Sequence, residues 1–203
     1  MSKKPVIVFE GIEGSGKTSH IRNVSNYLRK NKIDFIKLRE PGGSFNSERI
    51  RNLILNKKLD FNKNTDLFLY LAARSENIQV LKNNYKKKII LIDRFTDSTI
   101  AYQHYGFGIN LKMIDTLNKY LLKKFKVDFT FLNIVNEKNL KIRLKKRKRL
   151  NRYDNFKIKF YNKVQNGYLK LSKKNKNYLV VDSNLNMEEN KKKIIFNLKK
   201  LIK

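Results

Sequence analysis

The run Gly11-Ile12-Glu13-Gly14-Ser15-Gly16-Lys17-Thr18 carries the most readable chemistry in the chain. Its G-x-x-x-x-G-K-[ST] spacing lets consecutive backbone N–H groups curl around phosphate oxygens. A lysine ammonium then sits between the β- and γ-phosphates, and a hydroxyl is left to ligate Mg²⁺. Gly11 through Thr18 are therefore expected to cradle a nucleoside triphosphate, with Lys17 neutralising charge on the transferred group. Two further runs have similar promise. Arg39-Glu40-Pro41-Gly42-Gly43 and Asp93-Arg94-Phe95 each follow an apolar segment. An aspartate in that position can hold Mg²⁺ through water, and the arginine beside it can grip a phosphate with two parallel hydrogen bonds. The Glu40–Pro41 bond, in a tight functional turn, is expected to be cis.

These residues need a scaffold, and the pattern around them supplies one. Short, β-branched runs, apolar throughout, occur at Val6–Phe9, Ile33–Leu38, Ile89–Ile92, Phe129–Val135 and Tyr178–Val181. Runs of that kind suit strands buried on both faces of a parallel sheet. Helix-period segments separate them at Lys17–Asn31, Glu48–Leu55, Thr65–Tyr85, Leu111–Phe125, Glu137–Lys148, Asp154–Lys174 and Met187–Ile202. The alternation predicts an α/β P-loop fold: a five-stranded parallel sheet with helices on both faces. The phosphate loop then joins a strand to a helix, with the helix N-terminus adding its dipole. The other two runs fall at carboxyl ends of strands, where open α/β sheets bind ligands. Seven of the eight glycines lie in three short stretches (Gly11, Gly14 and Gly16; Gly42 and Gly43; Gly106 and Gly108). Each stretch is expected to need a positive φ or a close backbone approach.

Composition bounds the rest. The 203 residues are one domain's worth of chain, and the absence of cysteine excludes a disulfide framework or thiolate metal site. No apolar run is long enough to span a membrane, and Met1-Ser2-Lys3-Lys4-Pro5 leads straight into a strand-like segment. A soluble, cytoplasmic domain is expected. The net charge of +30 suggests nucleic acid at first sight. Yet 36 lysines, 26 asparagines and 20 isoleucines against 3 alanines indicate an AT-rich coding sequence as the main source of basicity. Only residues 137–163, with 12 basic and 2 acidic groups, are dense enough to suggest a functional cluster.

With these residues in view, the chain resembles the thymidylate kinase family, P-loop enzymes that convert dTMP to dTDP with ATP. The resemblance runs along essentially the whole chain: EGIEGSGKT at 10–18, REPGG at 39–43, LAAR at 71–74, DRFTDSTIAYQ at 93–103 and FYNKVQNGYLKL at 160–171. It implies ATP and dTMP as ligands, Mg²⁺ as cofactor on Thr18 and Asp93, a homodimer, and neither nucleic acid nor membrane as partner. Tyr70, one helical turn before Arg74, stands where the family usually stacks phenylalanine on thymine, and tyrosine keeps the aromatic face. Leu67, Tyr70 and Leu71 would equally make an ordinary apolar stripe. Arg74 matches an arginine bonding a base carbonyl; Thr99 and Gln103 match readers of the pyrimidine edge. Tyr102 matches the residue crowding C2′, Arg51 and Arg94 those on the acceptor phosphate. Glu13 matches the acid near the acceptor 3′-hydroxyl, and Glu40 joins this acceptor group.

The resemblance also makes the basic block a lid over ATP, at about residues 143–154. Because residues 12–15 of the phosphate loop contain no arginine, it implies the type whose catalytic arginine is delivered by the lid. Arg147 is the best positional match, supported by Arg152, with Arg143 and Arg149 as neighbours. Lys148 replaces the usual glycine, and Asn151-Arg152-Tyr153-Asp154 replaces the usual Asp-Arg-x-Glu. The attacking phosphate is already ionised, so no strong general base is needed, and His20 and His104 are expected to be bystanders. Two other readings stay open: a small nucleotide kinase accepting dUMP or a wider set, and a nucleic-acid-binding P-loop ATPase, which the charge alone favours.

Overall fold

The computed structural model describes residues 4–147 and 151–203. Its centre is a parallel sheet of β1 (Val6–Glu10), β2 (Phe35–Arg39), β3 (Ile89–Asp93), β4 (Phe129–Ile134) and β5 (Tyr178–Asp182), in the order β2-β3-β1-β4-β5. The chain places β2 and β3 on one side of β1 and β4 and β5 on the other. Connections therefore diverge at the carboxyl edge of β1, which opens a crevice for ligand. Alternate side chains of β1 serve different layers. Ile7 and Phe9 pack with Val24 and Leu28 of α1 (Lys17–Lys30) and with Ile194 and Leu198 of α8 (Met187–Ile202). Val6 and Val8 face the opposite layer, with Leu81 of α3 (Lys63–Asn84) and Phe95. Both faces are apolar because both are covered, as the unbroken strand runs indicated.

The remaining helices are α2 (Phe45–Leu55), α4 (Thr96–Thr99), α5 (Leu111–Leu122), α6 (Glu137–Lys145) and α7 (Ile158–Lys173). Strand β2 begins later than Ile33 because α1 closes there: Lys32 is left-handed (φ 53°) and Ile33 N–H returns to Leu28 O at 3.0 Å. Helix α7 begins later than Asp154 because residues Arg152–Asn155 form a separate 3₁₀ turn. Asn151 and Asp154 cap that turn reciprocally. Helix α6 ends at Lys145 rather than Lys148; Lys148 and Arg149 lie outside the described residues.

The segment after Arg94, where no regular element was expected, is helical. Helix α4 continues as a wide π-helical turn over Ile100–Gly106, in which Phe107 N–H reaches back to Tyr102 O at 2.9 Å. Two glycines let this turn lie against α7. A Cβ on Gly106 would come within 2.8 Å of the Phe160 ring, and one on Gly167 within 2.5 Å of Tyr105. Close approach, rather than positive φ, is what Gly106 supplies. The Glu40–Pro41 peptide is cis, as expected. Among the described residues no helix is long and apolar enough to cross a membrane.

Candidate active site

The phosphate loop is shaped by what surrounds it. Gly11 has φ 137°, and a Cβ there would lie 2.2 Å from the carbonyl oxygen of Asn133 on β4. Arg143 of α6 donates to Gly14 O (2.9 Å) and to Ser183 O (2.6 Å), while Ser183 Oγ donates to Ser15 O at 2.6 Å. These bonds fasten the loop to the ends of β5 and α6. Lys17 Nζ folds back onto Gly11 O (2.8 Å) and Ile12 O (2.9 Å). Burial, and then the positive charge of Arg94, lowers its pKa from 10.5 to about 8, against the pull of Asp93 and Glu13.

In front of the loop lies a cleft of about 480 Å³, lined on one side by Glu13 to Thr18 and on the other by Glu40, Arg51, Tyr70, Tyr102 and Gln103. Asp93, Arg94 and Arg147 join the two sides. Arg94 is left-handed (φ 67°), a costly conformation for a residue with a Cβ. Its backbone N–H donates to Phe9 O at 3.0 Å, and its guanidinium donates to Glu13 Oε1 at 2.7 Å and lies 5.2 Å over the Tyr102 ring. Tyr102 hydroxyl donates to the other Glu13 oxygen. Arg51 donates to Pro41 O at 2.6 Å, which brings its guanidinium to the acceptor side. Gln103 Nε2 is buried and unpartnered at the cleft wall.

Three of the residues expected to touch ligand do not line the cleft. Arg74 is 1% exposed and does not line the cleft. Its Nε donates to Glu40 Oε2 (2.7 Å), one terminal nitrogen to Asn118 Oδ1 (2.6 Å) and the other to Thr99 Oγ1 (3.1 Å). Arg74 and Thr99 thus brace the wall from behind, tying α3 to the turn after β2, to α4 and to α5. Burial pushes the Glu40 carboxyl above its usual range, with Arg74 opposing. Arg152 likewise stays out of the cleft: its guanidinium pairs with Asp66, between the rings of Phe61 (5.3 Å) and Tyr153 (5.2 Å). The fold offers Arg152 a buried carboxylate that the local sequence does not reveal. Arg147 does reach the cleft, paired with Asp154. Of the other two lid arginines, Arg143 lines the cleft and Arg149 lies outside the described residues.

A divalent metal fits the residues present. Asp93 Oδ1 is buried without a hydrogen-bond partner, and Asp93 shares the cleft with the exposed Thr18. Among the described residues no three His, Asp or Glu side chains cluster. A site made of one hydroxyl, one carboxylate acting through water and the substrate's own phosphates needs no such cluster. The histidines are elsewhere: His20 is 1% exposed, and His104 Nδ1 lies 2.8 Å from Ile109 O; neither lines the cleft.

Glu10 is the residue the motif left out. Fully buried at the end of β1, it accepts from the N–H groups of Phe95 (2.8 Å) and Ser98 (3.2 Å), from Ser98 Oγ (2.6 Å) and from Tyr168 hydroxyl (3.1 Å). Burial pushes its carboxyl up, against the Ser98 and Phe95 bonds. This carboxylate pins the turn that begins at Arg94. A charged residue ending an otherwise apolar strand is the signal that points to it.

A lysine-centred phosphate cradle facing an arginine-lined pocket across one cleft suits transfer between two anionic ligands, and on a five-stranded parallel sheet it defines a P-loop nucleotide kinase. Comparison with known proteins narrows the class. The family model for thymidylate kinase matches residues 9–194. Thymidylate kinases from Thermosipho africanus (38% identical, over 87% of this chain and 88% of that one) and Kosmotoga olearia (33%, over 90% and 89%) are similar along nearly their full length. The crystal structure of thymidylate kinase from Ehrlichia chaffeensis superposes with a TM-score of 0.77 at 31% identity, covering 97% of this chain and 98% of that one. The chain belongs to the thymidylate kinase family.

Proposed function

We infer that the chain transfers the γ-phosphoryl group of ATP to dTMP, giving ADP and dTDP on the route to dTTP. A phosphate oxygen of dTMP attacks the γ-phosphorus as the bond to the β-phosphate oxygen breaks. The observation that carries this reading is that one cleft holds the Lys17 loop on one side and Arg51, Tyr70, Tyr102 and Gln103 on the other, with Arg94 where the two meet. Lys17 turns from the carbonyls of its own loop to the phosphates. Arg94 and Arg51 take the acceptor phosphate, and Glu13 aligns Arg94 and Tyr102 through its two carboxylate oxygens. Tyr70 supplies a ring face to the base, and Gln103 a donor to its edge; Arg74, Thr99 and Glu40 keep that wall rigid. Arg147 neutralises charge on the transferred group.

Thr18, and Asp93 through water, would hold Mg²⁺, which would supply neutralisation of the donor's phosphate charge. Catalysis otherwise consists of in-line positioning by these side chains. The chain works as one nucleotide-kinase domain, with residues of about 143–154 as its lid. It acts in the cytoplasm as a homodimer, a reading supported by the exposed Phe45, Leu53 and Phe68 on α2 and α3.

ADP release from purified protein, compared across dTMP, dUMP, TMP, dCMP and single-stranded DNA, tests the reaction. dTMP should give the highest kcat/KM, and EDTA should abolish turnover until Mg²⁺ is restored. Release stimulated by DNA but not by dTMP would overturn the assignment. Tyr70→Ala should raise the KM for dTMP roughly tenfold, the value of one lost stacking contact, with kcat held within about threefold. A large fall in kcat with unchanged KM would instead place Tyr70 in the core rather than under the base.

A further inference from the structure

Arg147 enters the cleft on the arm of a carboxylate whose supports lie on the nucleoside side. Its partner Asp154 has a side chain with no exposed surface, whereas the Arg147 side chain is 39% exposed. Asp154 Oδ2 accepts from the Asn151 N–H at 2.8 Å, which fixes the carboxylate's orientation and leaves Oδ1 for Arg147. The turn that carries Asp154 is anchored at a distance. Arg152 pairs with one oxygen of Asp66 near the start of α3, and Tyr153 hydroxyl donates to the other at 3.0 Å. The Tyr153 carbonyl accepts from Tyr161 hydroxyl, and the Tyr153 ring meets Tyr70 and Tyr102 edge-on, at 6.0 and 5.8 Å.

We propose that Asp154 is a positioning residue: held in register with the nucleoside wall by the Asp66–Tyr153 anchor, it aims Arg147 at the transferred phosphoryl group. The proposal rests on Arg147 acting as the phosphoryl clamp. A buried carboxylate that only capped the 3₁₀ turn would need Asn151 alone. The second oxygen instead takes Arg147, whereas Arg143 is spent on the carbonyls of Gly14 and Ser183. Preorganisation of this kind lowers the reorganisation needed during transfer, so its loss falls on kcat.

The test is a double-mutant cycle on the full-length protein, with kcat and KM for dTMP and ATP measured by ADP release and folding followed by thermal unfolding. Asp154→Asn keeps an acceptor for the Asn151 N–H and removes the charge that holds Arg147. It should lower kcat about tenfold and change either KM less than threefold. Asp154→Ser, which also keeps an acceptor, serves if the asparagine variant does not fold. In an Arg147→Ala background the same substitution should change kcat less than twofold, and Asp154→Glu, which restores the charge, should recover most of the parent's kcat. Additive losses across the cycle would overturn the proposal and make Asp154 a structural cap. If Arg147→Ala alone left kcat within twofold, Arg147 would not be the clamp and the proposal would fall with it, while dTMP-dependent turnover would still stand.

Discussion

Lys17→Ala should lower kcat by about 10²–10³-fold, the usual cost of losing one preorganised charge at the reacting group, with the fold intact. The reason for the intact fold is electrostatic. Burial and Arg94 hold the ammonium at about 8 rather than 10.5, which corresponds to roughly 3 kcal/mol against the charged, folded form. Between those two pH values the unfolded chain binds more protons than the folded one, so stability rises with pH across that window. Below about pH 8 the cost of burying the ammonium is present in full. Alanine removes that cost together with two hydrogen bonds, so the unfolding midpoint should stay within a few degrees of the parent's. In the parent, kcat/KM for ATP should bend downward near pH 8, as the free enzyme loses the charge that receives phosphate. A profile flat from pH 7 to 9, or a variant keeping a tenth of parental kcat, would remove Lys17 from this role.

Arg94→Ala should be at least as damaging, for two additive reasons. It deletes the guanidinium proposed to hold the acceptor phosphate, and it leaves Glu13, 2.7 Å from that guanidinium in the parent, as an uncompensated carboxylate in the cleft. About 10³-fold or more should be lost from kcat/KM for dTMP, attraction being replaced by repulsion. Arg94→Lys should recover little, because an ammonium cannot reproduce the planar contacts to Glu13 and phosphate together. Adding Glu13→Gln to Arg94→Ala should return part of the dTMP affinity by removing the stranded charge, although it sacrifices the Tyr102 hydroxyl's charged acceptor. If the added glutamine left KM for dTMP unchanged, the repulsion argument would fail. Because the charge of Arg94 helps to lower the Lys17 pKa, its removal should move the bend in the ATP profile to higher pH.

Much of this site was legible in the chain. The phosphate loop is local chemistry: eight consecutive residues contain its cradle, its lysine and its hydroxyl, and apolar runs on either side require a strand and a helix. The sheet followed from runs apolar on both faces. The cis turn at Glu40–Pro41 followed from its place in a tight turn, and the cleft positions of Arg51, Tyr70, Tyr102 and Gln103 from the family resemblance. The helical segment from Thr96 to Gly106 did not, because its π turn depends on two glycine contacts with α7, one of them to Gly167.

The sequence alone determined that a phosphate-loop motif joins a strand to a helix and that parallel strands hold it. It did not determine which charged groups meet. Glu10 draws partners from Phe95 and Tyr168, 85 and 158 residues away. Arg74 takes Glu40 and Asn118, whereas Arg152 takes Asp66 and Arg147 takes Asp154. Along the chain the arginines at 143, 147, 149 and 152 have nearly equal local character. Which of them reaches phosphate depends on which carboxylates the fold brings within a few ångströms in a dry interior, and there proximity, not sequence neighbourhood, sets the energy of a charge pair.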